Sequence, residues 1–232
     1  MRGRPIVGAA AGAAVGYWLP SIVHPVPGLR PAFGVEDRTA PGTHVGLTFD
    51  DGPHARGTPA VLEALRDAGA RATFFLVGEQ VERDPALAAD VVAAGHAVGV
   101  HCRRHRNLMR LTPGQVADDV ARADAAIAAA TGVEPTLYRP PYGILTLAGL
   151  AAARRHGWRT FLWRRWGRDW AADATPAGIA ALLTDRVEAG DVLLLHDADH
   201  YSAPGSWRRT VEALPAVFDA LAARGLETTV LP

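Results

Sequence analysis

Residues 45–53 read VGLTFDDGP, and the reading of the whole chain turns on them. Val45, Leu47 and Phe49 are apolar and alternate with smaller residues, the pattern of a buried strand. The strand runs into two adjacent carboxylates, Asp50 and Asp51, and then the turn pair Gly52-Pro53. Neighbouring residues leaving a strand point in different directions. One carboxylate can therefore hold a cation while the other faces a substrate, and a cation relieves the repulsion between them. The plainer reading is that the pair opens a loop and caps the helix after it. The residues further along the chain decide between the two.

Working outward, helices and strands alternate. Thr58 and Pro59 open a helix whose apolar face is Val61, Leu62 and Leu65. RATFFLV, from Arg71 to Val77, is a second strand, and a short helix from Pro85 to Ala94 closes at Gly95. Ala97 to Val100 is a third strand, followed by a long Ala-rich helix from Thr112-Pro113 to Gly132. Short strands follow at Thr136 to Tyr138 and Trp158 to Trp163, with a helix from Thr146 to His156 between them. A helix from Thr175-Pro176 to about Glu188 leads to a strong buried strand, Asp191 to Leu195. A helix over Val211 to Ala223 and a strand over Glu227 to Val230 end the chain. About seven alternations predict an α/β fold, a distorted (β/α)7-type barrel of mostly parallel strands.

In such barrels chemistry gathers at the C-terminal ends of the strands. Asp50-Asp51, the run His101-Cys-Arg-Arg-His105, the run Arg139-Pro-Pro-Tyr142, Asp169-Trp170 and His196 all fall there. His101 and His105 are four apart, a spacing that sets both imidazoles on one side of a helical turn. With Asp51 they make a three-ligand set that leaves positions open on a divalent metal, as a hydrolytic metal needs. The plainer alternative is two solvated histidines in an Arg-rich loop, since Arg103, Arg104 and Arg106 interleave.

Composition bounds the rest. The chain has 232 residues, enough for a sizeable core, and zero formal net charge, which gives no reason to expect a nucleic-acid partner. All 24 basic residues are arginine. Cys102 is the only cysteine, so no internal disulfide forms. Arg2 and Arg4 precede an uncharged run over residues 5–25, which reads as an export signal or membrane anchor (residues 1–25), or as an Ala-rich outer helix. Residues 26–42, rich in Pro and Gly, read as a linker, and residues 43–232 as the globular domain. An extracytoplasmic, anchored or secreted monomer is expected.

The ordered set TFDDGP, HCRRH, RPPYG, GRDW and LLLHD resembles the polysaccharide deacetylases with a NodB homology domain, carbohydrate esterase family 4. The resemblance covers roughly residues 43–232. It implies a general base at Asp50 and metal ligands at Asp51, His101 and His105, with Zn²⁺ or another divalent transition metal as cofactor. It implies that Arg139 holds the base, that the Tyr142 backbone N–H helps stabilise the oxyanion, and that Asp169 orients the general acid His196. Trp170 and Leu194 then line the pocket for the acetyl methyl. Two positions depart from the pattern. Cys102 stands where Ser or Thr is usual, a weaker donor for bracing the loop, and Trp166 stands where another Asp is usual. Cys102 also allows a fourth-ligand reading, though a packing role fits better.

The expected function is removal of N-acetyl groups from a glycan such as peptidoglycan or a chitin-like oligomer. The alternatives are a deacylase of a small or lipid-linked N-acyl sugar or ester, and a catalytically silent glycan-binding protein on the same fold. His24, His44, His54, His96, His156 and His200 are expected to be structural or solvated.

Overall fold

The computed structural model describes residues 20–21 and 26–232. The expected anchor or export segment, residues 5–25, lies outside the described residues apart from Pro20 and Ser21. Among the described residues no helix is long and apolar enough to cross a membrane.

The organising strand is β2 (His44–Asp50). Its odd residues Val45, Leu47 and Phe49 pack outward under the helices, and Phe49 stacks on Phe74. Its even residues Gly46, Thr48 and Asp50 therefore face the barrel interior. Around it stand β3 (Thr73–Leu76), β4 (Ala97–Val100), β5 (Leu137–Tyr138), β6 (Arg159–Phe161) and β8 (Val192–His196). The two-residue strands β1 (Val35–Glu36) and β7 (Arg165–Trp166) lie at the sheet's edges, and β9 (Glu227–Thr229) pairs with the start of β2. The order across the sheet is β1-β6-β5-β4-β3-β2-β8-β7, and every strand pair is parallel. Parallel neighbours need crossovers, and helices supply them.

The sheet curls until the segment after β1 reaches the start of β8. Val192 N–H donates to the Asp37 carbonyl at 3.2 Å and Thr39 N–H to the Gly190 carbonyl at 2.7 Å. The result is the distorted, mostly parallel barrel that the alternation predicts. Helices α1 (Gly57–Asp67), α2 (Gly78–Arg83), α3 (Pro85–Ala93), α4 (Pro113–Thr131), α5 (Leu147–His156), α6 (Pro176–Thr184) and α7 (Ser206–Ala222) cover its outside. Helix α4 starts at a reciprocal cap between Thr112 and Gln115 and stops at Gly132, whose φ of 70° favours glycine. A second apolar cluster, including Phe75, Leu137, Phe161, Val192 and Leu194, fills the barrel. Each such side chain contributes roughly 1.5–3 kcal/mol by leaving water.

Three expectations need correction. Residues 26–42 are not a plain linker: Pro27–Leu29 and Pro31–Phe33 make tight turns, and Val35–Glu36 pairs with β6. Arg30 is buried there, bonded to Asp37 at 2.5 Å and to the Trp163 carbonyl at 2.9 Å. The prolines shape turns that pack against the barrel rather than an extended tether. Second, β1 and β7 are additional strands, too short for alternation to reveal. Third, Thr58 lies inside α1 and does not cap it; its hydroxyl instead donates to the Asp197 carboxylate.

Candidate active site

At the C-terminal rim of the barrel is a cavity of about 220 Å³. Asp50, the last inward residue of β2, lines it, buried and bonded through Oδ1 to Arg139 Nη1 at 2.6 Å. Arg139 is wholly buried. Its Nη1 also donates to Thr48 Oγ1 at 2.9 Å, its Nε to the Phe161 carbonyl at 3.1 Å and its Nη2 to the Leu162 carbonyl at 3.2 Å. The Phe75 ring lies 4.0 Å from the guanidinium carbon. Burial pulls the Arg139 pKa below its ordinary value, and the Asp50 charge opposes that pull. The planar fork thus ties three strand ends together and fixes one oxygen of Asp50, leaving the other, Oδ2, directed toward His101 at 3.8 Å.

Asp51 leaves the strand with φ at 79°, which turns its side chain away from the path Asp50 takes. Its Oδ1 lies 3.5 Å from His101 Nε2 and 3.3 Å from His105 Nε2. One donor atom from each of the three residues falls within 4.8 Å of the others, the only such His/Cys/Asp/Glu group among the described residues. His101 Nδ1 bonds the Arg139 carbonyl at 2.7 Å, which assigns its proton to Nδ1 and leaves the Nε2 lone pair facing Asp51. Asp51 Oδ1 is buried without a hydrogen-bond partner. Burial raises the Asp51 carboxyl, but the neighbouring His101, His196 and His105 outweigh it, holding the group below the usual carboxylate range. Burial also pushes His105 down to about 4, so its imidazole is neutral. Two imidazole nitrogens converging on an orphaned carboxylate oxygen are a donor set that fits a divalent transition metal. The helical-face argument does not explain the pair, however. Residues 101–107 form an irregular loop, and it is that loop's path that brings His105 back over His101, with ring centroids 5.3 Å apart.

Across the cavity stands His196, the last residue of β8 and the register partner of Asp50. Its Nδ1 bonds Asp169 Oδ1 at 2.9 Å, and its backbone N–H bonds Asp169 Oδ2 at 2.7 Å. Thr210 Oγ1 from α7 donates to the same Oδ2 at 2.7 Å. Burial works against a charged imidazole, but Asp169, by charge and hydrogen bond, and then Asp51 and Asp50 prevail and raise His196 to about 10. The ring is therefore an imidazolium at neutral pH, with Nε2 free to face the cavity.

Tyr142, in the turn Pro141–Gly143 after β5, has φ at 59° and a half-exposed ring set edge-on to His105 at 4.3 Å. Trp170 meets His196 edge-on at 5.6 Å, and Leu194 lies on the inner face of β8. Of the ten residues singled out from the sequence, Asp50, Asp51, His101, His105, Tyr142, Trp170, Leu194 and His196 line the cavity. Arg139 and Asp169 stand behind it as supports. Sequence reasoning missed Tyr201, Ser202 and Trp163 as lining residues. Tyr201 stacks on His105 at 4.4 Å and is held by Glu79 at 2.8 Å and Gln80 at 2.9 Å. An aromatic residue in the loop after a rim strand was the available signal.

Cys102, with φ at 62°, points into the outer core, its Sγ 3.9 Å from the Tyr138 hydroxyl. It packs rather than ligates, and burial pushes its thiol far up. Asp197 was not flagged. It is fully buried, and burial pushes its carboxyl up to about 7. It lies so close to Gly52 that any side chain there would collide with it. Its carboxylate accepts from the Thr58 hydroxyl, which ties the start of α1 to the end of β8. Of the other described histidines, His54 pairs with Asp199 at 3.1 Å, His96 accepts the Ala72 N–H at 3.3 Å, His156 faces Asp124 at 3.4 Å and His200 Nε2 bonds the Pro53 carbonyl at 3.3 Å.

A family model described as polysaccharide deacetylase matches residues 37–161. A chitooligosaccharide deacetylase of Bradyrhizobium sp. (strain ANU 289) is 37% identical over 196 residues, spanning 80% of this chain and 88% of that one. A peptidoglycan-N-acetylglucosamine deacetylase of Bacillus cereus is 33% identical over 184 residues, spanning 78% of this chain and 83% of its own length. The structure of a family 4 carbohydrate esterase from Streptomyces lividans in complex with acetate superposes with a TM-score of 0.74 at 33% identity, covering 83% of this chain and 95% of that one.

Proposed function

The chain belongs to the polysaccharide deacetylase family, and from that premise we propose that it hydrolyses N-acetyl groups from a glycan of the chitin or peptidoglycan kind, using Zn²⁺ or another divalent transition metal. The observation that carries this reading is the buried, unpartnered Asp51 Oδ1 facing two histidine nitrogens, in the same cavity as Asp50 and the Asp169–His196 pair.

An amide is a poor electrophile with a poor leaving group. A divalent ion held by Asp51, His101 and His105 supplies Lewis-acid polarisation and acidifies water when bound. Asp50, fixed by Arg139 through Oδ1, takes the proton of the attacking water on its other oxygen. The Tyr142 backbone N–H is the donor assigned to the oxyanion. His196, charged at neutral pH, gives its Nε2 proton to the departing amine as the carbon–nitrogen bond breaks. Asp169 is the positioning residue for that acid, and Trp170 and Leu194 contact the acyl methyl. The same reading puts the enzyme outside the cytoplasm, exported or anchored through residues 5–25. The test is acetate release from N-acetylated chitooligosaccharides and peptidoglycan fragments, before chelation, after it, and after Zn²⁺ is restored. Release that disappears on chelation and returns with metal is expected. Metal-loaded protein that frees acetate from neither substrate overturns the proposal.

A further inference from the structure

The wall of the cavity beyond Trp170 and Leu194 is a further ring that the hydrolytic chemistry leaves without a task. Trp166 sits on β7 in register with Leu194, so both side chains leave the sheet on the same face. Leu194 faces the cavity, and Trp166 lines it beside Leu194. The Trp166 ring centroid is 5.0 Å from Trp170 and 5.9 Å from Trp163. Trp166 is also 39% exposed, whereas Trp163 is 8% exposed. It is thus the outermost ring of the series, standing between the apolar end of the cavity and solvent.

The backbone that carries that ring is pinned from behind. Arg164 N–H donates to the Val192 carbonyl at 2.8 Å and Gly167 N–H to the Leu194 carbonyl at 3.2 Å, bracketing Trp166 on the β8 edge. Arg165 Nε bonds Asp191 at 3.2 Å. Gly167 packs so closely on Ile179 and Leu195 that a side chain there would displace one of them. A backbone pinned on both sides cannot withdraw to admit a larger group.

We propose that Trp166 is a specificity-determining residue that closes the outer end of the acyl pocket and restricts the enzyme to short acyl groups. The proposal rests on the deacetylase reading above and adds to it the acyl-length limit. An acetyl methyl fits against Trp170 and Leu194, while each further methylene must displace the indole of Trp166 or bend around it. In a pocket of this kind one methylene changes kcat/KM by about 10–200-fold.

The experiment compares metal-loaded parent, Trp166→Ala and Trp166→Phe on glucosamine oligomers carrying N-acetyl, N-propionyl or N-butyryl groups. The parent should prefer acetyl over propionyl by about 10-fold or more. Trp166→Ala should shrink the acetyl-to-butyryl ratio by about 10-fold or more, with Trp166→Phe between the two. Inhibition by free carboxylates gives a second readout: butyrate should gain on acetate as an inhibitor of Trp166→Ala but not of the parent. Rates that fall equally for all three acyl groups, with the remaining loss depending on oligomer length, would show that Trp166 is a sugar-stacking platform, and the proposal is then wrong. Unchanged ratios in both variants overturn it as well. Parent protein that releases no acyl group at all sinks the deacetylase reading itself, a result the variants cannot mimic.

Discussion

The two walls of the cavity are built in opposite ways. On the Asp51 wall the buried polar atoms do not satisfy one another. Asp51 Oδ1 is buried without a hydrogen-bond partner while the Nε2 atoms of His101 and His105 face it, and the loop that carries the histidines is irregular. On the His196 wall the supporting bonds are complete. Asp169 accepts from the His196 ring, the His196 backbone and Thr210, and its two oxygens are both engaged. A buried polar group left without a partner costs about 1–3 kcal/mol. Such groups persist where something outside the chain completes them. The contrast therefore separates the wall that waits for a ligand from the wall that is finished by folding alone.

The strongest way to break this contrast is to remove a donor from the unfinished wall. His101→Ala should bring bound metal after dialysis down to background and abolish activity, while the protein stays folded by circular dichroism. Metal content equal to the parent would refute the three-residue donor set. Next comes the residue shared by both walls. Asp50→Asn preserves shape and hydrogen bonding but cannot take a proton, so turnover should drop by about 10²–10⁴-fold with metal retained. Loss of metal in that variant would make Asp50 a ligand instead of the base.

The finished wall should respond more gently. Asp169→Asn removes the charge that holds His196 as an imidazolium, with an expected loss of about 10–100-fold. Because the carboxylate raises the His196 pKa, its removal lowers that pKa. The acid then deprotonates at lower pH, and the alkaline limb of the kcat profile should move down the pH scale. The defect should be larger on amides than on activated esters, whose leaving groups need little protonation. An alkaline limb that stays in place would mean that His196 is not the acid. Thr210→Val is the mildest probe. It deletes one hydrogen bond to Asp169, so stability should fall by about 1 kcal/mol in urea denaturation and turnover by less than about 10-fold.

Much of this was legible from local pattern. The alternation of Val45, Leu47 and Phe49 already fixes Asp50 as inward-facing, because side-chain direction in a strand has a period of two. Glycine stops such as Gly132 and Gly157, both with positive φ, mark helix ends one residue at a time. What stayed hidden depends on segments meeting that are far apart in the chain. The spacing of His101 and His105 suggested a helical turn, but a loop makes the pair. Residues 26–42 looked like a tether because proline and glycine signal turns without saying what the turns pack against. Arg30, buried beneath Trp163, supplies that answer only in three dimensions. Tyr201 reaches His105 only because the loop after β8 folds back across the rim.

One small feature has a practical use. Cys102 is the chain's only thiol, and it is sealed in the outer core, its burial holding it in the protonated, unreactive form. Alkylating reagents applied to the native protein should leave it untouched. A cysteine introduced on the surface would then be the sole site of labelling, with no need to engineer the native one away. A fluorophore or spin label placed at exposed Arg110, a few residues beyond the histidine loop, then reports on that loop in solution as a divalent ion is added.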